Sequence, residues 1–359
     1  MRALLTALTL SAVLLMSGCG DNAYDGETGL IKTTAAGSAS LVSLNNRVLR
    51  ANSQAASEAA QEALDAMHAL ETEVNEESYA GATASFVTLM TAWKRVEATY
   101  VAQDFEEALI DMPRFIDQFN IGKNSDIPAQ MDSVVNGSGD VAAALYTSSH
   151  KTLNALEYLL YGDEQNSSAQ MVTLMASNPR YAQAAALIVH SLQGHLSVIN
   201  DYYQESKAFE TDIITSTESL LNVLIDSSYK LKEWRIGEPS GFTLKYEDDL
   251  DPARAEYHRS RHSLDAVRAI LEAHQQVIAN GLYDISAAAG AENEATLVNT
   301  VIAEALAACD AFENAYEDDI AGAHAARLYD KLDSLHDAYY VSLINALDLT
   351  AEIIEADGD

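Results

Sequence analysis

Four polar side chains, His150, Asn154, Glu157 and Tyr161, recur at spacings of four, three and four residues between Thr147 and Gly162. On a helix these spacings set all four along one stripe, beside an apolar stripe of Leu153, Leu156 and Leu160. A carboxylate one turn from an amide can take a cation or orient a polar ligand, and an imidazole adds a base and a metal donor. His150 and Glu157 are separated by about 10.5 Å of helical rise, too far for one ion to bridge both directly. The irregular segment that carries Asp117 is the element that could approach this face. The same spacing also suits a solvated stripe.

Two further constellations have ligand chemistry. His258, His262 and Asp265 stand at i, i+4 and i+7, and on one helix two histidines a turn apart can share a metal. Arg259 and Arg261, interleaved with Ser260 and Ser263, oppose a cation and suit an anionic ligand, because guanidinium holds carboxylate or phosphate through paired donors. His68 and Glu71 form a His-x-x-Glu, the separation from which helical bundles build iron-carboxylate sites, though a solvated histidine satisfies the same pattern. The chain has no His-Glu-x-x-His, no phosphate-binding glycine loop before Lys-Ser/Thr and no Cys-x-x-Cys.

Long helices must position these residues. The chain has 359 residues, 48% of them hydrophobic, with only five prolines, all between periodic stretches or at their starts. Apolar residues from Leu41 through Val74 keep helical spacing, and a second helix is predicted over about 78–103. Further helices are predicted over 147–161, 181–206, 211–234, 252–280, 294–316 and 323–354. The fold class is all-α, with two helical bundles of the up-and-down four-helix type packed against each other. Residues 41–206 would form the N-terminal bundle and 207–359 the C-terminal one. Two breaks, 105–139 and 237–251, lack a sustained period, and an irregular segment inside a compact domain points to function.

The first 18 residues read as a signal peptide: one early arginine, then an apolar run too short to span a bilayer. The run ends in Leu15-Met-Ser-Gly-Cys19, which resembles the lipobox of bacterial lipoproteins. That resemblance implies acylation of Cys19, residues 19–40 as a tether, and a lipid-anchored protein of the cell envelope. Gly20 after the cysteine favours the outer membrane, with the protein facing the periplasm or the surface. Cys309, the other thiol, is expected to pack as a small apolar group. Fifty-four acidic against 21 basic residues, a net charge of -33, exclude a reader of the phosphate backbone, so nucleic acid is no partner.

Three blocks carry a family resemblance: Trp93 in Thr-Ala-Trp-Lys-Arg-Val-Glu, then Ile116-Asp117-Gln-Phe-Asn120, then Leu156-Glu157-Tyr-Leu-Leu-Tyr-Gly162. Together with Ser260-Arg-His-Ser263-Leu264 they resemble the imelysin-like family, also called peptidase family M75. Its Gly-x-His-x-x-Glu motif falls on Thr152-Leu-Asn154-Ala-Leu-Glu157, so Glu157 is kept while Thr152 and Asn154 replace Gly and His. The resemblance implies a periplasmic or surface-anchored protein with a site between its bundles, involved in iron uptake. Iron or another divalent metal would be the ligand, and an iron-uptake or cell-envelope protein the partner. Asn offers a neutral amide where imidazole would bind metal or move a proton, which favours a binding protein over an M75-type metallopeptidase or other hydrolase. A structural interaction module of the envelope is the remaining alternative.

Overall fold

The structure, a computed structural model, describes residues 35–120, 126–163 and 166–351. Among the described residues there is no strand, and the chain is built from helices throughout. The signal peptide and Cys19 lie outside the described residues, and among these no helix is long and apolar enough to cross a membrane.

Helix α1 (Ala35–Leu44) continues through a π turn (Asn45–Leu49) into α2 (Arg50–Thr72), and α3 (Glu76–Glu97) folds back against α2. The reversal is set by Asn75, whose side chain accepts from Ser78 N at 2.9 Å while Ser78 Oγ accepts from Asn75 N at 3.1 Å, satisfying two orphan donors. After shorter helices α4 (Ile127–Asn136), α5 (Leu153–Tyr161) and α6 (Ser168–Ser177), the 26-residue α7 (Arg180–Glu205) packs along α2 and α5. These elements bury Trp93, Phe86, Met67 and Leu192 completely and make the first bundle.

The second bundle comprises α8 (Ile213–Lys230), α9 (Ser263–Val277), α10 (Tyr283–Ala288), α11 (Glu292–Cys309) and α12 (Ala323–Asp337). Its seam with the first is chiefly α9 against α3. Helix α1 packs on α10, α8 and the π turn before α10, so residues 35–40, expected as tether, are already helical and the first helix leans on the second bundle. Close approach makes this possible at Gly281, where a Cβ would lie 2.7 Å from both Leu44 Cγ and Ser40 O. Cys309 is a free, buried thiol.

Two expected helices start later than their periodicity suggests. The helix predicted over 147–161 begins at Leu153, because Thr152 takes an extended conformation (φ -112°, ψ 167°) and its side chain caps the new N-terminus by accepting from Ala155 N. The helix predicted over 252–280 begins at Ser263, because Tyr257 (φ 58°) and Arg261 (φ 62°) turn the chain through the left-handed region.

Candidate functional site

Glu157 is on α5, 3% exposed, and its Oε1 accepts from both the backbone N and the Oγ of Ser260, each at 2.8 Å. These partners come from the loop before α9, so the contact joins the two bundles across 103 residues of sequence. The loop reaches inward because of its left-handed Tyr257 and Arg261, conformations that non-glycine residues adopt only where the surroundings enforce them. Burial pushes the Glu157 carboxyl up to about 7; the Ser260 hydrogen bonds and Arg259 oppose this, and Glu317 adds to it.

Ser263, one turn further, bonds through Oγ to Glu317 Oε1 and to the Glu256 carbonyl. Burial also raises the Glu317 carboxyl, and its Oε2 is buried without a hydrogen-bond partner. Each serine hydroxyl has one proton but touches two acceptors: Glu157 and Tyr257 O for Ser260, Glu317 and Glu256 O for Ser263. Ser260 thus holds Glu157 and Ser263 holds Glu317, two carboxyls that interact electrostatically and whose pKa values burial raises.

Below this pair lies a buried charge network that the sequence blocks conceal. Lys94, fully buried on α3, donates to Glu256 at 2.6 Å, Asp117 at 2.7 Å and Glu97 at 2.9 Å. Arg235 donates to Glu256 Oε2 at 2.7 Å and to Glu97 Oε2 at 3.0 Å. Asp117 also accepts from the Tyr257 hydroxyl and from Phe119 N. Burial alone would raise the Asp117 carboxyl, but Lys94, Tyr257 and Phe119 together hold it below the usual carboxylate range. Two cations face three carboxylates drawn from α3, the Asp117 segment, the π turn after α8 and the loop before α9. This network fixes the loop that presents Ser260 and Ser263.

The expected residues divide accordingly. Glu157, Asp117, Ser260 and Ser263 come together at the seam. Asn154 lies beside them but serves another purpose: its Oδ1 accepts from Gln118 N at 3.2 Å, tying the Asp117 segment to α5. Arg259 donates to Gly162 O at 3.1 Å and stacks over Tyr158 at 5.2 Å, so its guanidinium clamps the end of α5. Gly162 is required there: it takes φ 65°, and a Cβ would come within 2.5 Å of Asn166 Nδ2.

The histidines do not join the site. His150 is off the α5 stripe, in a 3-10 turn, with Nδ1 on Ala144 O at 3.2 Å, because the Thr152 cap ends the helix before reaching it. His258 contacts Ala255 O, and His262 pairs with Asp265 at 2.6 Å; the left-handed turn takes His258 off the helix that would have aligned all three. His68 and Glu71 are exposed on α2. Among the described residues no group of three or more His, Cys, Asp or Glu side chains is arranged to hold a metal ion. The potential donors at the seam are oxygens, of which Glu157 Oε1 and Glu317 Oε1 are already engaged with serine hydroxyls.

Sequence spacing missed Lys94, Glu97, Arg235, Glu256, Tyr257 and Glu317. One signal for Lys94 existed: it falls on the buried stripe of α3 that runs through Phe86, Met90 and Trp93, where an unpaired lysine is untenable.

The sequence matches the profile Peptidase_M75, described as Imelysin, over residues 49–339. The fold is similar to that of an imelysin-like protein from Psychrobacter arcticum 273-4, with TM-score 0.66 at 16% identity, covering 90% of this chain and 99% of that one. A putative iron-regulated protein A precursor from Parabacteroides distasonis ATCC 8503 is also similar, with TM-score 0.65 at 13% identity, covering 89% and 96%. At such identities the likeness is one of fold. None of the curated proteins matches the chain.

Proposed function

The chain belongs to the imelysin family, and from that premise we propose that it is a cell-envelope binding protein of iron acquisition, anchored through Cys19, that takes its ligand at the seam between its two bundles. The observation that carries this reading is the Glu157–Ser260 contact, which joins the bundles through a carboxyl pushed up to about 7 with no imidazole bonded to it. The similar fold of a putative iron-regulated protein A precursor supports the iron link.

Burial raises the pKa of both carboxyls, the serine hydroxyls both donate and accept, and Arg261 presents a half-exposed guanidinium, paired with Asp318, near Glu317. Such a set suits iron that arrives already coordinated in an oxygen-rich, anionic complex rather than a bare ion. The cargo is then recognised through its own carboxylates and hydroxyls. Saturable one-to-one binding of ferric citrate, with no comparable uptake of free zinc or copper, is the expected calorimetric result.

One observation favours the hydrolase alternative: a carboxyl near 7 within 2.8 Å of a serine hydroxyl has the form of a base and its nucleophile. Incubation with unfolded casein separates the two. Cleavage that Glu157→Gln and Ser260→Ala both abolish would replace the binding reading.

A further inference from the structure

A second site lies on different elements, between α7 and the segment 142–151. An open groove of about 420 Å³ runs there, within the size range of small-molecule sites. The segment side contributes Ala142, Leu145 and Lys151, and α7 contributes Leu187, His190, Gly194 and His195, so apolar and basic groups line it together. Every ionisable side chain lining it is basic, in a protein of net charge -33. Lys151 makes no ion pair among the described residues, whereas most of the lysines and arginines at the seam have acidic partners. His195 is held in place by stacking on Phe115, centroids 5.4 Å apart and planes inclined by 27°. Burial, and then the charge of Lys151, lower its pKa, so its uncharged ring stands near the Lys151 ammonium and offers a ring N–H as a hydrogen-bond donor. Gly194, exposed in the lining beside His195, leaves the groove open: a Cβ there would meet nothing within 4 Å.

We propose that this groove binds a small organic anion with an apolar body, its acid group between Lys151 and His195 and its body along Ala142, Leu145 and Leu187. Charge complementarity with Lys151, the one charged side chain of the lining to carry no acidic partner among the described residues, selects the acid, the His195 ring N–H adds a donor, and the aliphatic lining selects the body. The site is independent of the seam and of the ligand proposed for it.

The test uses 8-anilinonaphthalene-1-sulfonate, an aromatic anion whose fluorescence rises on binding, and its uncharged relative N-phenyl-1-naphthylamine. The full-length protein should bind the sulfonate at one saturable site and the neutral dye much more weakly. Lys151→Met, which keeps the aliphatic stem, should weaken the sulfonate by roughly tenfold, the scale of one charge-assisted contact at a half-exposed site. Gly194→Phe should place a ring in the groove and abolish binding of both dyes. Equal affinity for the two dyes, or wild-type binding of the sulfonate by both variants, would overturn the proposal. Circular dichroism of each variant guards against a trivial loss of fold.

Discussion

Replacing Glu157 by Gln tests the protonation state of the seam. The folded carboxyl is raised from 4.5 to about 7, chiefly by burial. At 1.36 kcal/mol per pKa unit this corresponds to roughly 3 kcal/mol. As pH rises past 4.5 the unfolded chain releases this proton while the folded protein keeps it, so stability falls across the window from 4.5 to about 7 and then levels off. Gln has the shape of the neutral acid, still accepts from Ser260 N, and has no proton to lose. The difference in unfolding free energy, variant minus wild type, should therefore move in favour of the variant by about 3 kcal/mol between pH 4 and pH 8. Urea unfolding of both proteins at half-unit steps of pH measures it, and taking the difference cancels the titration of the other carboxylates. A difference that does not change with pH would refute the reasoning. A change in the opposite direction would show that the two Ser260 hydrogen bonds outweigh burial and keep Glu157 ionised.

Lys94→Met should cost about 3–5 kcal/mol, because the buried carboxyl groups of Asp117 and Glu256, at 2.7 and 2.6 Å, lose a cation they share in the interior; urea midpoints measure it, and a loss below about 1 kcal/mol would contradict the network. Asn154→His places an imidazole one turn from Glu157 and, if the seam takes a transition metal, should raise affinity for zinc or copper above that of the wild type, read by calorimetry; equal, negligible heats in both proteins would remove Glu157 from consideration as a metal ligand. Cys19→Ser should move the protein from the membrane fraction to the soluble fraction, and a processed variant that stays membrane-bound would contradict the lipid anchor.

Helical period carried most of the fold. The long helices α2, α3, α7 and α11 show the spacing of buried apolar residues directly; α7 ends within a residue of the sequence expectation, α3 and α11 stop short of it at their C-termini, and the helical run that contains α2 starts earlier, at Ala35. The site was legible only in part. Glu157 and Ser260 were both visible as residues of interest, yet nothing local reveals that they bond to each other, because pairing across 103 residues leaves no periodic trace. The histidines misled for a physical reason: spacing at i, i+4 and i+7 has meaning only on an unbroken helix, and two left-handed non-glycine residues are the kind of break that composition does not announce. Thr152 did announce one, since a threonine three residues before a free backbone donor is a capping signal. The charge network was hidden because Lys94, Arg235 and Glu256 belong to three distant segments that only tertiary packing brings together.

The most direct test of the central claim is calorimetric titration of ferric citrate into the full-length protein and into Glu157→Gln and Ser260→Ala. The proposed binding site predicts one-to-one uptake by the wild type, weakened by roughly tenfold in each variant, as expected for loss of a buried hydrogen-bonding partner. Identical affinity in all three proteins would show that the complex does not bind at the seam.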